Sequence, residues 1–106
     1  MSDVNAALVY PRITAERERQ EQIHPGKTAA SLMVTPTGKL AILVEEVGEV
    51  ARDLCDGDLA HIETELIQVA AVAIAWLESI AYQRTLNDWR NPGPDAGKLR
   101  HIEPTS

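Results

Sequence analysis

The chain has 106 residues, and we expect residues 1–106 to form a single domain that is large enough for a modest core. Its formal net charge of -6 at pH 7 argues against broad nucleic-acid binding, which needs a basic surface. A single cysteine excludes an internal disulfide, and 4% aromatic residues with no phenylalanine favour an aliphatic, alanine-rich core of close-packed helices.

The first predicted helix is almost wholly polar. Thr14 is suited to cap it, and we expect it over residues 15–23, before a Pro-Gly pair that breaks it. Glu16 and Arg19 have the spacing of an ion pair on one helix face. The helix is either solvated or a lid that brings polar side chains toward a substrate.

A long loop follows over residues 24–37, and loops of this length in compact domains are often functional. Gly26-Lys27-Thr28 looks like the end of a P-loop. We exclude that reading, because no upstream strand or first glycine stands at the required spacing.

The second predicted helix starts near Pro36, with Thr37 as its N-cap, and runs to Leu54. Its apolar residues recur at helical spacing, with acidic residues to the other side. Gly48 interrupts it between carboxylates, which indicates either a close approach by a backbone or ligand, or ordinary packing. The apolar stripe consists of Leu40, Leu43, Val44, Val47, Ala51 and Leu54.

The third predicted helix runs from about Leu59 to near Tyr82 and is apolar nearly all round from Leu66 to Leu77. Three helices cannot bury such a helix alone, so we expect a homo-oligomer, a dimer or tetramer, built as a helical bundle. The core is expected over about residues 14–83, with an extended tail over residues 84–106.

A tight turn at Gly57 makes the second and third helices an antiparallel hairpin. Residues at equal depth in such a hairpin have position numbers that add to about 114. Glu49 then faces Glu65, and Glu46 faces Gln68, either in the helix seam or along its rim. The same rule pairs Asp53 with His61 and Ile42 with Val72.

Three carboxylates at matching depths repel one another unless a cation lies between them. Oxygen ligands from two helices suit Mg²⁺ or Mn²⁺, and Mg²⁺ commonly recruits substrate phosphates to complete its shell. The alternative is a solvated acidic face, which is the usual meaning of a glutamate-rich helix.

Glu46-Val47-Gly48-Glu49, followed by Glu65-Leu66-Ile67-Gln68, resembles the MazG-like, all-α nucleoside triphosphate pyrophosphohydrolases. Members carry ExxE on one helix and ExxD on the next, bind Mg²⁺ there, and cleave a nucleoside triphosphate to the monophosphate and pyrophosphate. The resemblance covers about residues 38–82, and the segment from Ala15 to Gln20 with His24-Pro25 looks like the N-terminal helix of small, phage-type members.

The resemblance implies a metal site at Glu46, Glu49, Glu65 and Gln68, with Mg²⁺ as the cofactor and Mn²⁺ as an alternative. Glu45 and Glu49 are the candidates to assist the attacking water. Together with the metal ligand Glu46, they are the implied catalytic residues. Gln68 departs from the family, which has Asp there, because an amide offers a neutral oxygen and no charge.

The implied partner is a nucleoside triphosphate, contacted by polar residues of the first helix, the loop and the start of the second helix. The expected contacts are Arg19, Gln20, His24, Lys27 and Lys39. The alternative is a non-catalytic helical scaffold or nucleotide-binding regulator with a degenerate metal site, which Gln68 favours.

The N-terminal residues lack the basic and apolar regions of a signal peptide. The apolar run Leu66 to Leu77 is too short to span a bilayer. We therefore expect a cytoplasmic protein without membrane contact.

Overall fold

The computed structural model describes residues 3–91 and residue 93, and this part of the chain is 82% helical without strands. Three helices account for it: α1 (Asp3–Ile23), α2 (Pro36–Asp56) and α3 (Ile62–Arg90), the last preceded by a 3-10 turn, Leu59–His61. Helix α3 packs against both α2 and α1. The predicted all-α class with three helices is confirmed.

Capping residues set the two ends of α2. Thr35 is the N-cap, and its side-chain oxygen accepts a hydrogen bond of 3.0 Å from the Gly38 amide. Pro36 then occupies the first helical turn, where its missing N–H costs nothing. The prediction that Thr37 is the N-cap is therefore wrong. Gly57 ends the helix in the left-handed conformation (φ 73°), as predicted from its position after the acidic turn.

Helix α1 begins much earlier than expected, at Asp3 rather than after Thr14, although it ends at Ile23 as predicted. The Thr14 hydroxyl donates back to the Tyr10 carbonyl within the helix (3.3 Å) and does not cap it. Pro11 lies inside the helix. A single proline there removes one backbone donor, and the flanking alanine-rich and charged turns continue the helix on both sides.

Helix α3 extends to Arg90, so residues 84–90 are helical and not part of an extended tail. No glycine or proline occurs in this stretch before Pro92, so nothing in it ends the helix earlier. Trp89, near the end of the helix, is 80% exposed. Residue 92 and residues 94–106 of the predicted tail lie outside the described residues.

The small core sits where α2 and α3 meet the loop between α1 and α2. Ala29, Val72 and Ala75 are buried there. Ile42 packs against this cluster, which confirms its predicted pairing in depth with Val72, and Trp76 packs against the cluster as well. Alanine supplies two of the three central residues, as the composition indicated.

The predicted apolar stripe of α2 is not covered by the rest of the described chain. Leu43 packs against the core, but Leu40, Val44, Val47 and Leu54 are each about half exposed. On α3, Leu66 and Leu77 are also more than half exposed. Oligomeric assembly stays a prediction.

Among the described helices, the segment Leu59–Arg90 is long and apolar enough to cross a membrane, with a mean hydropathy of 1.4 over its most apolar window. Core helices of soluble proteins often meet the same criterion, so this is weak evidence. The expected cytoplasmic location stays a prediction.

Candidate functional site

The face of α2 that turns toward α3 changes character along its length. At i, i+3 and i+4 spacing it carries Ile42 near the core and then Glu46, Glu49 and Asp53 toward the Gly57 turn. Glu65 meets them from the start of α3. All four carboxylates are half-buried, and we call the stretch of α2 and α3 that carries them the acidic seam.

Three of these carboxylates each have one buried oxygen without a hydrogen-bond partner among the described residues. The oxygens are Oε2 of Glu46, Oδ2 of Asp53 and Oε2 of Glu65. A buried carboxylate oxygen without a donor is costly, and the cost falls if a proton or a cation is present. The seam is therefore chemically suited to hold a cation.

The carboxyl groups respond to this crowding. Hydrogen bonding with Asp53, burial, and the negative charges of Asp53 and Glu49 raise the pKa of Glu65 to about 7. Burial, followed by the charges of Glu49 and Glu45, raises the pKa of Glu46 above its ordinary value. Both groups hold protons more tightly than a solvated glutamate does, as expected where like charges share a site.

The set of metal-capable atoms that lies closest together in the described chain differs from the predicted one. Ligand atoms of Asp53, Asp58 and His61 lie within 4.8 Å of one another. His61 Nδ1 is 3.1 Å from Asp58 Oδ2, and this contact raises the pKa of His61. Glu46, Glu49 and Glu65 do not form such a set. The depth pairing of Asp53 with His61 is confirmed.

A cavity of about 490 Å³ adjoins the acidic seam. Helix α1, the loop after it and α2 form most of its wall, and α3 contributes Val72. Its lining residues are Glu16, Arg19, Gln20, Ile23, His24, Lys27, Thr28, Ala29, Ile42, Glu45, Glu46 and Val72. Glu46 belongs both to this wall and to the acidic seam, so the cavity and the seam share a side chain.

The cavity brings together six residues that sequence reasoning proposed from separate segments. Arg19, Gln20, His24 and Lys27 were expected to contact substrate, and Glu45 and Glu46 to serve catalysis. Glu49, Glu65 and Gln68 are not part of the cavity wall. Gln68 is half-buried on α3, one turn after Glu65.

One wall of the cavity carries its own ion pair. Arg19 donates from Nε and Nη2 to the two oxygens of Glu16, both at 2.8 Å, which confirms the predicted i, i+3 pair. This hydrogen bonding is the main cause of the lowered pKa of Glu16. Gln20 Nε2 also donates to Glu16 (3.2 Å). An anionic ligand would have to compete with Glu16 for Arg19.

A second polar network holds α1 and the loop in place, and the sequence did not reveal it. Arg17 Nη2 donates to Glu21 (3.0 Å) and to Glu78 of α3 (2.6 Å). Thr28 Oγ1 donates to Glu21 (2.6 Å), which is the largest cause of the lowered pKa of Glu21. The contact between Arg17 and Glu78 joins residues 61 positions apart, a pairing that no local pattern indicates.

Lys39, one of the expected substrate contacts, lies apart from the other four. Its side chain is buried, and its Nζ donates to the Ser31 carbonyl at 2.5 Å. It is not part of the cavity wall. Burial lowers the pKa of Lys39. Its position fits a role in holding the loop before α2 and does not fit contact with a phosphate.

In comparisons with known proteins, no family model, no curated protein and no solved structure matches this chain.

Proposed function

We propose that the chain is a metal-dependent nucleotide pyrophosphohydrolase that resembles the MazG-like enzymes and cleaves a nucleoside triphosphate to the monophosphate and pyrophosphate. The observation that supports this most directly is the set of buried carboxylate oxygens without hydrogen-bond donors in the seam, one of which, on Glu46, belongs to a side chain of the cavity wall. A helical scaffold would gain no stability from burying carboxylate oxygens that repel one another and have no donor.

The donor set fits Mg²⁺ or Mn²⁺, because it consists of carboxylate and amide oxygens. Glu46, Glu49 and Glu65 would hold the ion, and Gln68 would offer one neutral oxygen. The ligand atoms of the three glutamates do not form a compact set in the structure, so binding would require these side chains to turn toward one another. When bound, the ion would supply charge neutralisation for phosphate oxygens and a more acidic water. The seam alone, without the ion, would repel a triphosphate.

The cavity wall divides into parts that suit different parts of a nucleotide. Arg19 and Lys27 provide positive charge for phosphate oxygens. The wall also contains apolar residues that a base could contact, among them Ile23 and Ile42, and it contains His24. The volume is within the range of roughly 300–1,000 Å³ common for small-molecule sites.

Glu45 is the residue best placed to move a proton. It is exposed, lines the cavity, and neighbours Glu46 in sequence. A solvated carboxylate next to the substrate cavity can accept a proton from an attacking water, whereas the half-buried Glu46 is suited to hold a cation. We therefore propose Glu45, rather than Glu49, as the general base.

A nucleotide-binding regulator without turnover is the second candidate, and Gln68 is the observation that favours it. Where the resembled enzymes carry Asp, Gln68 removes one negative charge from the site. The cavity would still bind a nucleotide in this case. Binding without pyrophosphate release would identify this function.

The test is a screen of nucleoside triphosphates with Mg²⁺ and with Mn²⁺, scored by pyrophosphate release. Turnover by the wild-type protein that Glu46→Gln abolishes, and that EDTA removes, supports the enzyme. Glu18→Gln is the matched control, because Glu18 is an exposed glutamate of α1 outside the cavity wall. Nucleotide binding without turnover selects the regulator, and neither binding nor turnover contradicts both.

The lid hypothesis has a separate test on the same assay. Replacing Gln20 and His24 together by Ala should raise KM more than it lowers the melting temperature, because both side chains line the cavity. Gln22→Ala, at an exposed position of α1, is the control. An unchanged KM would show that α1 supports the fold and does not contact the nucleotide.

A further inference from the structure

The turn between α2 and α3 carries a set of metal-capable side chains that adds an imidazole to carboxylates. Asp53 lies in the last turn of α2, Asp58 follows Gly57, and His61 ends the 3-10 turn before α3. We call Asp53, Asp58 and His61 the turn triad. Their ligand atoms lie within 4.8 Å of one another. Oxygen ligands alone suit Mg²⁺, whereas a set that includes an imidazole nitrogen suits transition-metal ions such as Zn²⁺.

Backbone hydrogen bonds fix the positions from which the turn triad projects. The Asp58 amide donates to the Asp53 carbonyl at 2.9 Å, which ties the turn to the end of α2. The Leu59 amide then donates to the Gly57 carbonyl at 3.2 Å, where the chain enters the 3-10 turn that carries His61. Because this backbone is already folded, an ion would have to order only side chains, which keeps the entropic cost of binding low.

The spacing of the side chains is close to that of a tetrahedral metal site. Zn²⁺ binds nitrogen and oxygen at about 2.0–2.2 Å, so its ligand atoms lie about 3.3–3.6 Å apart. His61 Nδ1 and Asp58 Oδ2 are 3.1 Å apart and already have nearly this spacing. The remaining separations are below 4.8 Å, so a shift of about 1.5 Å or less closes the set. The side chains of Asp58 and His61 are exposed and can rotate to make it.

The electrostatics of the turn favour a cation. Asp53 Oδ2 is buried without a hydrogen-bond partner among the described residues, and a cation would lower the cost of that burial. In this part of the chain, neither Asp53 nor Asp58 forms an ion pair with a lysine or an arginine. Hydrogen bonding with Asp58 and the negative charges of Asp58, Asp53 and Glu65 raise the pKa of His61, so the turn attracts positive charge.

We propose that the turn triad binds a divalent transition-metal ion, for which Zn²⁺ is the best match, at a site separate from the proposed Mg²⁺ site. Two carboxylates balance the charge of the ion, and three protein ligands leave a coordination position for water. Asp53 belongs to α2, whereas Asp58 and His61 belong to the segment that leads into α3. The bound ion therefore ties the end of one helix to the start of the next and stabilises the hairpin. This site needs neither nucleotide nor turnover.

The experiment uses the full chain without nucleotide, in slightly alkaline buffer, because the imidazole must be free of its proton to bind an ion. Millimolar Mg²⁺ is present throughout, so that the acidic seam does not compete for Zn²⁺. Calorimetry should give one Zn²⁺ site, and the melting temperature should rise with Zn²⁺ concentration. Co²⁺, used as a probe in place of Zn²⁺, should develop the visible absorption of a four-coordinate ion. His61→Gln should weaken Zn²⁺ binding about tenfold or more and remove the rise in melting temperature.

Matched variants separate the turn triad from other metal-binding side chains nearby. Asp58→Asn should weaken Zn²⁺ binding as His61→Gln does, and it should fold normally because the Asp58 side chain makes no capping hydrogen bond. Asp56→Asn is its control, because Asp56 is an exposed carboxylate of the same turn outside the triad. Cys55→Ser tests the exposed thiol at the end of α2 and should leave Zn²⁺ binding unchanged.

Several results would overturn the proposal. A wild-type chain that binds no Zn²⁺ at micromolar concentration would do so, and so would binding that survives both His61→Gln and Asp58→Asn. Loss of binding in Cys55→Ser would assign the ion to the thiol. Displacement of Zn²⁺ by millimolar Mg²⁺ would assign it to the acidic seam. A failure here leaves the pyrophosphohydrolase proposal standing, because that proposal is tested by pyrophosphate release, and the reverse also holds.

Discussion

The two ends of the packing between α2 and α3 follow the same helix geometry with opposite chemistry. At the end near the loop, Ile42 packs against Val72 and Ala75 in a dry cluster. At the end near the Gly57 turn, the same faces of the same helices present Asp53 and Glu65, and the pKa of Glu65 is raised to about 7. The comparison teaches that two helices can keep one packing geometry while the chemistry between them changes from apolar to acidic.

The largest effect is expected when a carboxylate is placed at the apolar end. Val72→Asp places an unpaired charge in the core and should cost about 3 kcal/mol or more of unfolding free energy. Urea denaturation measures it. Thr85→Asp, at an exposed position of α3, should change stability by less than about 1 kcal/mol. Equal effects would mean that the cluster near Val72 does not stabilise the hairpin.

Divalent cations should sharpen the comparison, because they act only at the acidic end. Mg²⁺ or Mn²⁺ should raise the melting temperature, and the stabilisation reaches about 2.7 kcal/mol at a hundredfold excess over Kd. Glu49→Gln or Glu65→Gln should abolish this rise in a folded protein, and Glu18→Gln should preserve it.

The matching gain-of-function variant is Gln68→Asp. It adds a carboxylate beside Glu65 and should lower the Kd for Mg²⁺, which calorimetry measures directly. A wild-type protein that binds no divalent ion at millimolar concentration, even with nucleotide present, would contradict the metal site and the enzymatic proposal with it.

Protonation should have a smaller effect than a cation, because a proton neutralises one carboxylate while a cation interacts with several. The pKa of Glu65 is raised to about 7 in the folded protein, above its unfolded value near 4.5. The folded state therefore binds more protons between these values, so stability without metal should fall as pH rises from about 4.5 through 7.

Variants assign this pH dependence to a residue. Glu65→Gln is neutral at every pH and should remove most of it. The raised pKa of His61 acts in the same direction, so His61→Gln should remove a separate, smaller part. A melting temperature that is flat over this pH range in the wild type would contradict the raised pKa of Glu65.

The smallest expected effect concerns Gly48, which lies between the two ends on α2. A Cβ at this position would meet no atom within 4 Å among the described residues. Gly48→Ala should therefore stabilise the helix by about 1 kcal/mol. If the melting temperature falls instead, or nucleotide binding is lost, then a ligand or a second chain approaches the glycine closely, as one of the two sequence interpretations proposed.

Local signals in the sequence were sufficient for the hairpin. The turn at Gly57 and the depth pairing of Ile42 with Val72 follow from capping preference and helix rise, which depend on few neighbours. The start of α1 was not predictable in the same way, because Pro11 is a strong local helix breaker. The helical turns on both sides nevertheless continue the helix through it.

Contacts between distant segments set the rest of the site. Lys39 carries the positive charge that a phosphate-binding residue needs. Only the folded loop shows that its ammonium instead donates a hydrogen bond to the Ser31 carbonyl. The apolar stripe of α2 was readable as periodicity. Periodicity does not say which side of a helix the rest of the chain covers, and here the covered side is the mixed one with Glu46.

The buried position of Lys39 has a practical consequence for chemical labelling. Acylating reagents need an accessible, deprotonated amine, and the Lys39 amine is enclosed and bonded to Ser31. Lys27 is exposed and lies in the cavity wall. Of these two lysines, a fluorophore ester should therefore attach to Lys27, which would place a reporter at the mouth of the cavity without a designed cysteine.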